Sequence, residues 1–313
     1  MMTDLALFLA SLFVLIKSAE YAVCYSSKIA RAFRISEFVV SFFIVAFISC
    51  SPEATVSIIS AINGVPEFGL GALLGSNVAD LALVFGVVAL FSANGVKVKS
   101  QIVRNDLFYL VLLLVPIILG FDGHLSREDG VVLILSGAAF LATLARQSRL
   151  FRRKFNHARN HGWAKNFVLL VLSLAFLVAG AYYTVKFGID FANDINIPPF
   201  LVALTMVSIG SCMPELIFSL KAVRTGHDAL ALGDILGNVI IDATILIGVI
   251  SLISPFDFNP SIVRVTGVMM FFAGALAVTF IKSGKVLTRV EGLLLLLFYL
   301  LSLAVEFWMN GVF

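Results

Sequence analysis

The chain has 313 residues, of which 60% are hydrophobic and 13% charged, with a formal net charge of +3. A mean hydropathy of +1.04 lies far outside the balance of a soluble globular domain. It leaves no room for one, and the positive charge says nothing about nucleic acid because the basic residues sit in short gaps between apolar runs.

Crossing a bilayer takes about 20 residues of helix. In chain order the apolar runs predict spans at 5–25, 37–63, 68–93, 105–121, 128–145, 166–190, 198–223, 229–254, 262–281 and 290–310. Helix is the form expected, because backbone in lipid must satisfy its own hydrogen bonds and the short alternating segments of an outer-membrane barrel are absent. The first run lacks a basic start and a clear cleavage site, and Lys17 and Glu20 interrupt its far end; it reads as a helix with a local ion pair rather than a signal peptide. The last run ends with Glu306 beside Trp308, where interfacial anchoring is expected.

The gaps orient the chain. Lys28, Arg31 and Arg34, then Lys97, Lys99 and Arg104, then Lys221 and Arg224, then Lys282, Lys285 and Arg289 alternate with gaps holding Glu67; Asp122, Glu128 and Asp129; Asp190 and Asp194; and Asp257. The stretch RQSRLFRRKFNHARNHGWAK between the fifth and sixth runs has no acid. The positive-inside rule makes the basic gaps cytoplasmic and puts both termini outside, in what reads as the cell membrane. Cys24, Cys50 and Cys212 form no C-x-x-C pair, so neither a disulfide framework nor a zinc site is signalled. His124, His157, His161 and His227 lie in the gaps, which argues against a buried histidine proton relay.

Adding 162 to a residue number in the first half reaches its counterpart in the second, without a gap, from about residue 19 to residue 92. Ser49, Cys50, Pro52, Glu53, Ser57, Gly64, Leu70, Gly71, Leu74, Gly75 and Asp80 are identical to Ser211, Cys212, Pro214, Glu215, Ser219, Gly226, Leu232, Gly233, Leu236, Gly237 and Asp242. Five spans per half is an odd number, so the second half enters the membrane from the opposite side. The expected fold is an all-α membrane protein of ten transmembrane helices in two inverted five-helix repeats, at 1–145 and 166–313, joined by a basic cytoplasmic linker at 146–165. Inverted repeats with interrupted helices are transporter architecture, with the site near the midplane between the halves.

Four acids follow a small polar residue by four positions: Ser49 with Glu53, Ser76 with Asp80, Ser211 with Glu215 and Asn238 with Asp242. That spacing stacks both side chains on one helix face. Pro52 and Pro214 free backbone carbonyls near Ile48 and Gly210, tolerated at membrane depth only inside protein or beside water. Carboxylates, hydroxyls, an amide and free carbonyls are hard oxygen ligands of the kind Ca²⁺ takes, about 6–8 at a time; Na⁺ would accept a similar shell. Left charged and unpaired, each acid would cost roughly 2.5–3.5 kcal/mol on an insertion scale, and a bound cation or protons must offset that. The glycines at 71, 75, 233 and 237 are expected to pack helices closely and to bring backbone near the ion. Whether Asp234, two turns from Asp242, contacts ions stays open.

Together the segments S-C-S-P-E, G-S-N-V-A-D, S-C-M-P-E and G-N-V-I-I-D resemble the paired alpha repeats of the cation/calcium antiporter superfamily, in particular the sodium/calcium exchanger family. The resemblance spans nearly the whole chain, including the A-R-A-F-R-I-S run at 30–36. It implies alternating access, Glu53 and Glu215 as shared Ca²⁺ ligands, a cluster completed by Ser76, Asp80, Asn238 and Asp242, and sodium held with the help of Ser49, Cys50, Ser211 and Cys212. The transported ions would be Ca²⁺ and Na⁺ or H⁺, with K⁺ open, and no cofactor, enzymatic activity or obligate protein partner is signalled.

Two departures bear on the counter-ion. The family's second hydroxyl is cysteine in both halves here, and a thiol is a poor ligand for Na⁺ or Ca²⁺. Both repeats also end their second motif in aspartate, which resembles the potassium-dependent exchangers or fits proton coupling. The competing readings are an uncoupled divalent-cation channel or a transporter for another metal, and an intramembrane aspartyl hydrolase. The hydrolase lacks a Y-D plus G-x-G-D arrangement and leaves four symmetric acids unexplained.

Overall fold

A computed structural model describes residues 2–32, 50–92, 95–97, 106–148, 163–226, 228–284 and 286–310. It is an all-α, multi-pass membrane fold. Among the described residues seven helices are long and apolar enough to cross a bilayer: Met2–Ser26, Pro66–Phe91, Ala164–Asp194, Pro199–Arg224, Ala231–Ile253, Pro260–Lys282 and Arg289–Met309. The expected spans at 105–121 and 128–145 fall on shorter or more charged helices, Asp106–Leu119 and Arg127–Ser148. The second of these opens on Arg127, Glu128 and Asp129, which dilute its apolar stretch. The first part of the expected span 37–63 and most of the basic linker, residues 149–162, lie outside the described residues.

The helices sort into an inner and an outer set. Pro66–Phe91 and Ala231–Ile253 are 83% and 78% buried, whereas Arg289–Met309 is 28% buried. Large apolar side chains on the outer set, such as Phe176, Leu172 and Leu300, are exposed, as lipid-facing residues are. Met2–Ala32 packs along Trp163–Asp194, with Phe8 stacked on Phe191 at 6.1 Å between ring centroids. Lys17 pairs with Glu20 at 2.8 Å, the local ion pair the sequence predicts.

Element boundaries recur with the sequence identities. Ser51–Ile62, Pro66–Val78, the π-helical turn Ala79–Val84 and Phe85–Phe91 are matched, 162 residues on, by Met213–Arg224, Asp228–Ile240, Ile241–Leu246 and Ile247–Ile253. A proline lacks the amide that would continue a helix through it, so Pro52 and Pro214 sit in the first turn of new helices, each preceded by a cysteine at ψ −1°. Gly64 and Gly226 close the matched hairpins at φ 76° and 77°, a left-handed conformation in which a side chain would be strained. Acids four residues past a small polar group are thus delivered to equivalent places, Asp80 and Asp242 each as the second residue of a π turn.

Two short antiparallel pairings join distant gaps: Val96–Lys97 with Val286–Leu287, and His124–Leu125 with Phe256–Asp257. Each links gaps that the charge pattern assigns to one side of the membrane. A Cβ on Gly71 would lie 2.6 Å from the Phe200 carbonyl oxygen, and one on Gly75 would collide with the Leu204 carbonyl and Ser208 Oγ. A Cβ built on Gly237 meets nothing within 4 Å among the described residues; the positions that match Leu204 and Ser208 in the register of 162 residues lie outside them. Gly75→Ala is therefore expected to lower thermal stability in detergent by about 1–3 kcal/mol, read as a drop in unfolding midpoint.

Candidate functional site

Glu53, Asp80, Glu215 and Asp242 are each at most 2% exposed, and Ser76, Ser211, Asn238, Cys50 and Cys212 are buried with them. Ser49 lies outside the described residues. The two halves meet through these side chains. Cys50 Sγ donates to Asn238 Oδ1 at 3.1 Å, and Asn238 Nδ2 donates to Glu215 Oε1 at 3.1 Å. From the other side, the Ser76 hydroxyl reaches Asp242 Oδ2 at 3.2 Å as well as the Leu73 carbonyl at 2.9 Å. Cys212 Sγ approaches the Ser76 carbonyl oxygen at 3.6 Å, and the Ser211 hydroxyl donates to the Ser208 carbonyl at 3.2 Å.

Among the described residues each of the four acids keeps one buried oxygen with no hydrogen-bond partner: Glu53 Oε2, Asp80 Oδ1, Glu215 Oε2 and Asp242 Oδ1. Among the described residues no Lys or Arg forms an ion pair with any of them. Glu53 is electrostatically coupled to Asp80, Glu215 and Asp242, and Asp234 to Asp80 and Glu215. Four like charges so placed cannot all stay ionised and unaccompanied in a low-dielectric interior. Among the described residues no three His, Cys, Asp or Glu side chains close to the spacing of a rigid metal cluster. The donors form a looser ring of carboxylate, hydroxyl, amide and carbonyl oxygens.

The thiols in this ring act as hydrogen-bond donors across the interface between halves. That accounts for cysteine at both positions without asking sulfur to hold a hard cation. Asp234 is 4% exposed and within the electrostatic range of the ring. Asn77 is fully buried and donates to Met270 Sδ at 3.4 Å while its Oδ1 has no partner; sequence reasoning missed it, although its place beside Ser76 in G-S-N-V-A-D was the available signal. Tyr109 and Tyr299 are buried with unpartnered hydroxyls and had no sequence signal beyond being polar in apolar runs. Glu306 is a correction: Trp308 is 68% exposed, but Glu306 is 2% exposed and takes a 2.6 Å hydrogen bond from Thr266 Oγ1. Two residues along a helix turn the side chain to the opposite face, inward instead of to the interface.

The profile of the sodium/calcium exchanger protein family matches residues 3–145 and 165–308. The chain is 28% identical to the sodium/calcium exchanger MaX1 of Methanosarcina acetivorans, over 96% of this chain and 97% of that protein. It is 27% identical to the inner membrane protein YrbG of Escherichia coli, over 100% and 99%. A structure of the sodium-calcium exchanger NCX_Mj soaked with Na⁺ and Sr²⁺ superposes with a TM-score of 0.69 at 26% identity, covering 96% of this chain and 97% of that one.

Proposed function

Because the chain belongs to the sodium/calcium exchanger protein family, we propose that it is a secondary active antiporter, not an enzyme, which moves Ca²⁺ against Na⁺ or H⁺ by alternating access. The observation that carries this reading is the set of four buried carboxylates, one pair from each half, each holding an oxygen without a hydrogen-bond partner among the described residues. Glu53, Asp80, Glu215 and Asp242 supply the charge; Ser49, Ser76, Ser211 and Asn238 supply neutral oxygens; and at Cys50 and Cys212 the backbone carbonyls serve in place of the thiols. Ca²⁺ and the counter-ion exclude one another because removing Ca²⁺ leaves repelling carboxylates that only monovalent cations or protons can quiet. That exclusion couples the two fluxes.

The same reading takes the fold to be ten helices in two inverted repeats, 1–145 and 166–313, around the linker at 146–165. Element boundaries that recur after 162 residues support it, and so do the strand pairings that join gaps of like charge. Both termini then lie outside the cell membrane, on the side opposite the basic gaps.

The test is radiolabelled Ca²⁺ uptake into proteoliposomes with Na⁺, K⁺ and pH gradients imposed one at a time. Uptake should follow one of these gradients and reverse when the gradient is reversed. Uptake that runs down its own gradient regardless of the counter-ion would identify an uncoupled channel and end the antiport reading.

A further inference from the structure

Beside the four-carboxylate ring, and containing none of its acids, a cavity lies between the helices Pro66–Phe91, Pro199–Arg224, Pro260–Lys282 and Arg289–Met309, its polar lining Thr266, Tyr299, Ser302 and Glu306. The cavity is small, about the room that one water-sized occupant needs. Thr266 Oγ1 donates to Glu306 Oε1 at 2.6 Å. Among the described residues Glu306 Oε2 and the Tyr299 hydroxyl are buried without partners, while the Ser302 hydroxyl is committed to the Tyr299 carbonyl at 2.7 Å.

We propose that Glu306 is a proton-binding site separate from the four-carboxylate ring, its carboxyl presenting an O–H to this cavity and exchanging that proton through it. A hard metal ion does not fit. Such an ion collects about six oxygens, and the walls at Gly75, Val78, Leu204 and Leu303 offer no polar side chain. A proton meets every need of the site: Oε1 accepts from Thr266, and Oε2 becomes a donor to the cavity occupant or to Tyr299. The charged or titratable groups on the packed elements are Glu67 and Asp80 on Pro66–Phe91, Cys212, Glu215, Lys221 and Arg224 on Pro199–Arg224, Arg264 and Lys282 on Pro260–Lys282, and Arg289, Glu291 and Tyr299 on the helix of Glu306 itself. Arg264 donates to the Phe121 carbonyl at 3.1 Å and Arg289 to the Ser92 carbonyl at 3.3 Å, and among the described residues no cation forms an ion pair with Glu306. Gly75 and Val78 flank Ser76, which bonds Asp242, so any change at the ring that moves this helix also moves a wall of the cavity.

Infrared difference spectroscopy on the purified protein in detergent, the spectrum in ordinary water minus that in deuterated water, tests this without requiring Ca²⁺ or its flux; it can therefore fail or succeed independently of the antiport reading. The wild type should show a protonated-carboxyl carbonyl band that shifts in deuterated water, and Glu306→Gln should lose that one band while Glu53→Gln keeps it. Thr266→Val, which retains the acid, should keep the band at a changed frequency. A Glu306→Gln spectrum with every wild-type carboxyl band intact, or a band that Thr266→Val does not move, would overturn the proposal, as would a band that never shifts in deuterated water.

Discussion

Glu53→Gln and Glu215→Gln should each bring counter-ion-driven Ca²⁺ uptake in proteoliposomes to background. Stripping the charge from one member of a desolvated, mutually dependent ionic set costs roughly 2–5 kcal/mol, at least about a 30-fold loss of Ca²⁺ affinity. Glutamine keeps the volume and one oxygen, so the loss isolates charge. The accompanying stability measurement separates a ligand from a merely structural acid. In Ca²⁺-free buffer either variant should unfold at a higher temperature than the wild type, because one repelling carboxylate has gone, whereas added Ca²⁺ should raise the wild-type midpoint and leave the variants unmoved. Glu20→Gln is the control: it removes only the half-exposed pair with Lys17, a kind worth little, and uptake should stay within about twofold. Full uptake by Glu53→Gln would remove the basis for the proposed site.

The second large effect is expected at Asn238, which accepts from Cys50 in one half and donates to Glu215 in the other. Asn238→Ala takes away both roles and strands Glu215 Oε1 in a buried site, a cost of about 1–3 kcal/mol. The half-saturating Ca²⁺ concentration should rise about tenfold, with the maximal rate less affected, since all four carboxylates remain. Cys50→Ala, which removes only the donor to Asn238, should give a smaller shift in the same direction. An Asn238→Ala variant with unchanged Ca²⁺ dependence would mean that the bridge between halves has no part in holding the ion.

Much of this architecture follows from composition and from the register of 162 residues. Apolar length forces helices, because lipid offers backbone no other partner. Prolines at 52 and 214 force breaks, since neither ring can donate the bond that would carry a helix through it. Glycines at 64 and 226 mark tight turns that only their backbone freedom permits. The candidate acids were visible for the same kind of reason: a carboxylate inside an apolar run is too costly to keep without a role.

Other features needed the packed molecule, because they depend on which face of a helix meets which neighbour. The sequence pattern puts Glu306 at an interface with Trp308, yet the carboxylate turns inward onto Thr266, forty positions away in the chain, and no local spacing encodes that meeting. The cysteines read as weakened ion ligands until Asn238 and the Ser76 carbonyl stand opposite them. Gly75 has the Leu204 carbonyl pressed against it from another helix, a meeting that no local pattern records. Periodicity records what each segment must bury; contacts between distant segments choose the partner, and that choice turns separate acids into one ring.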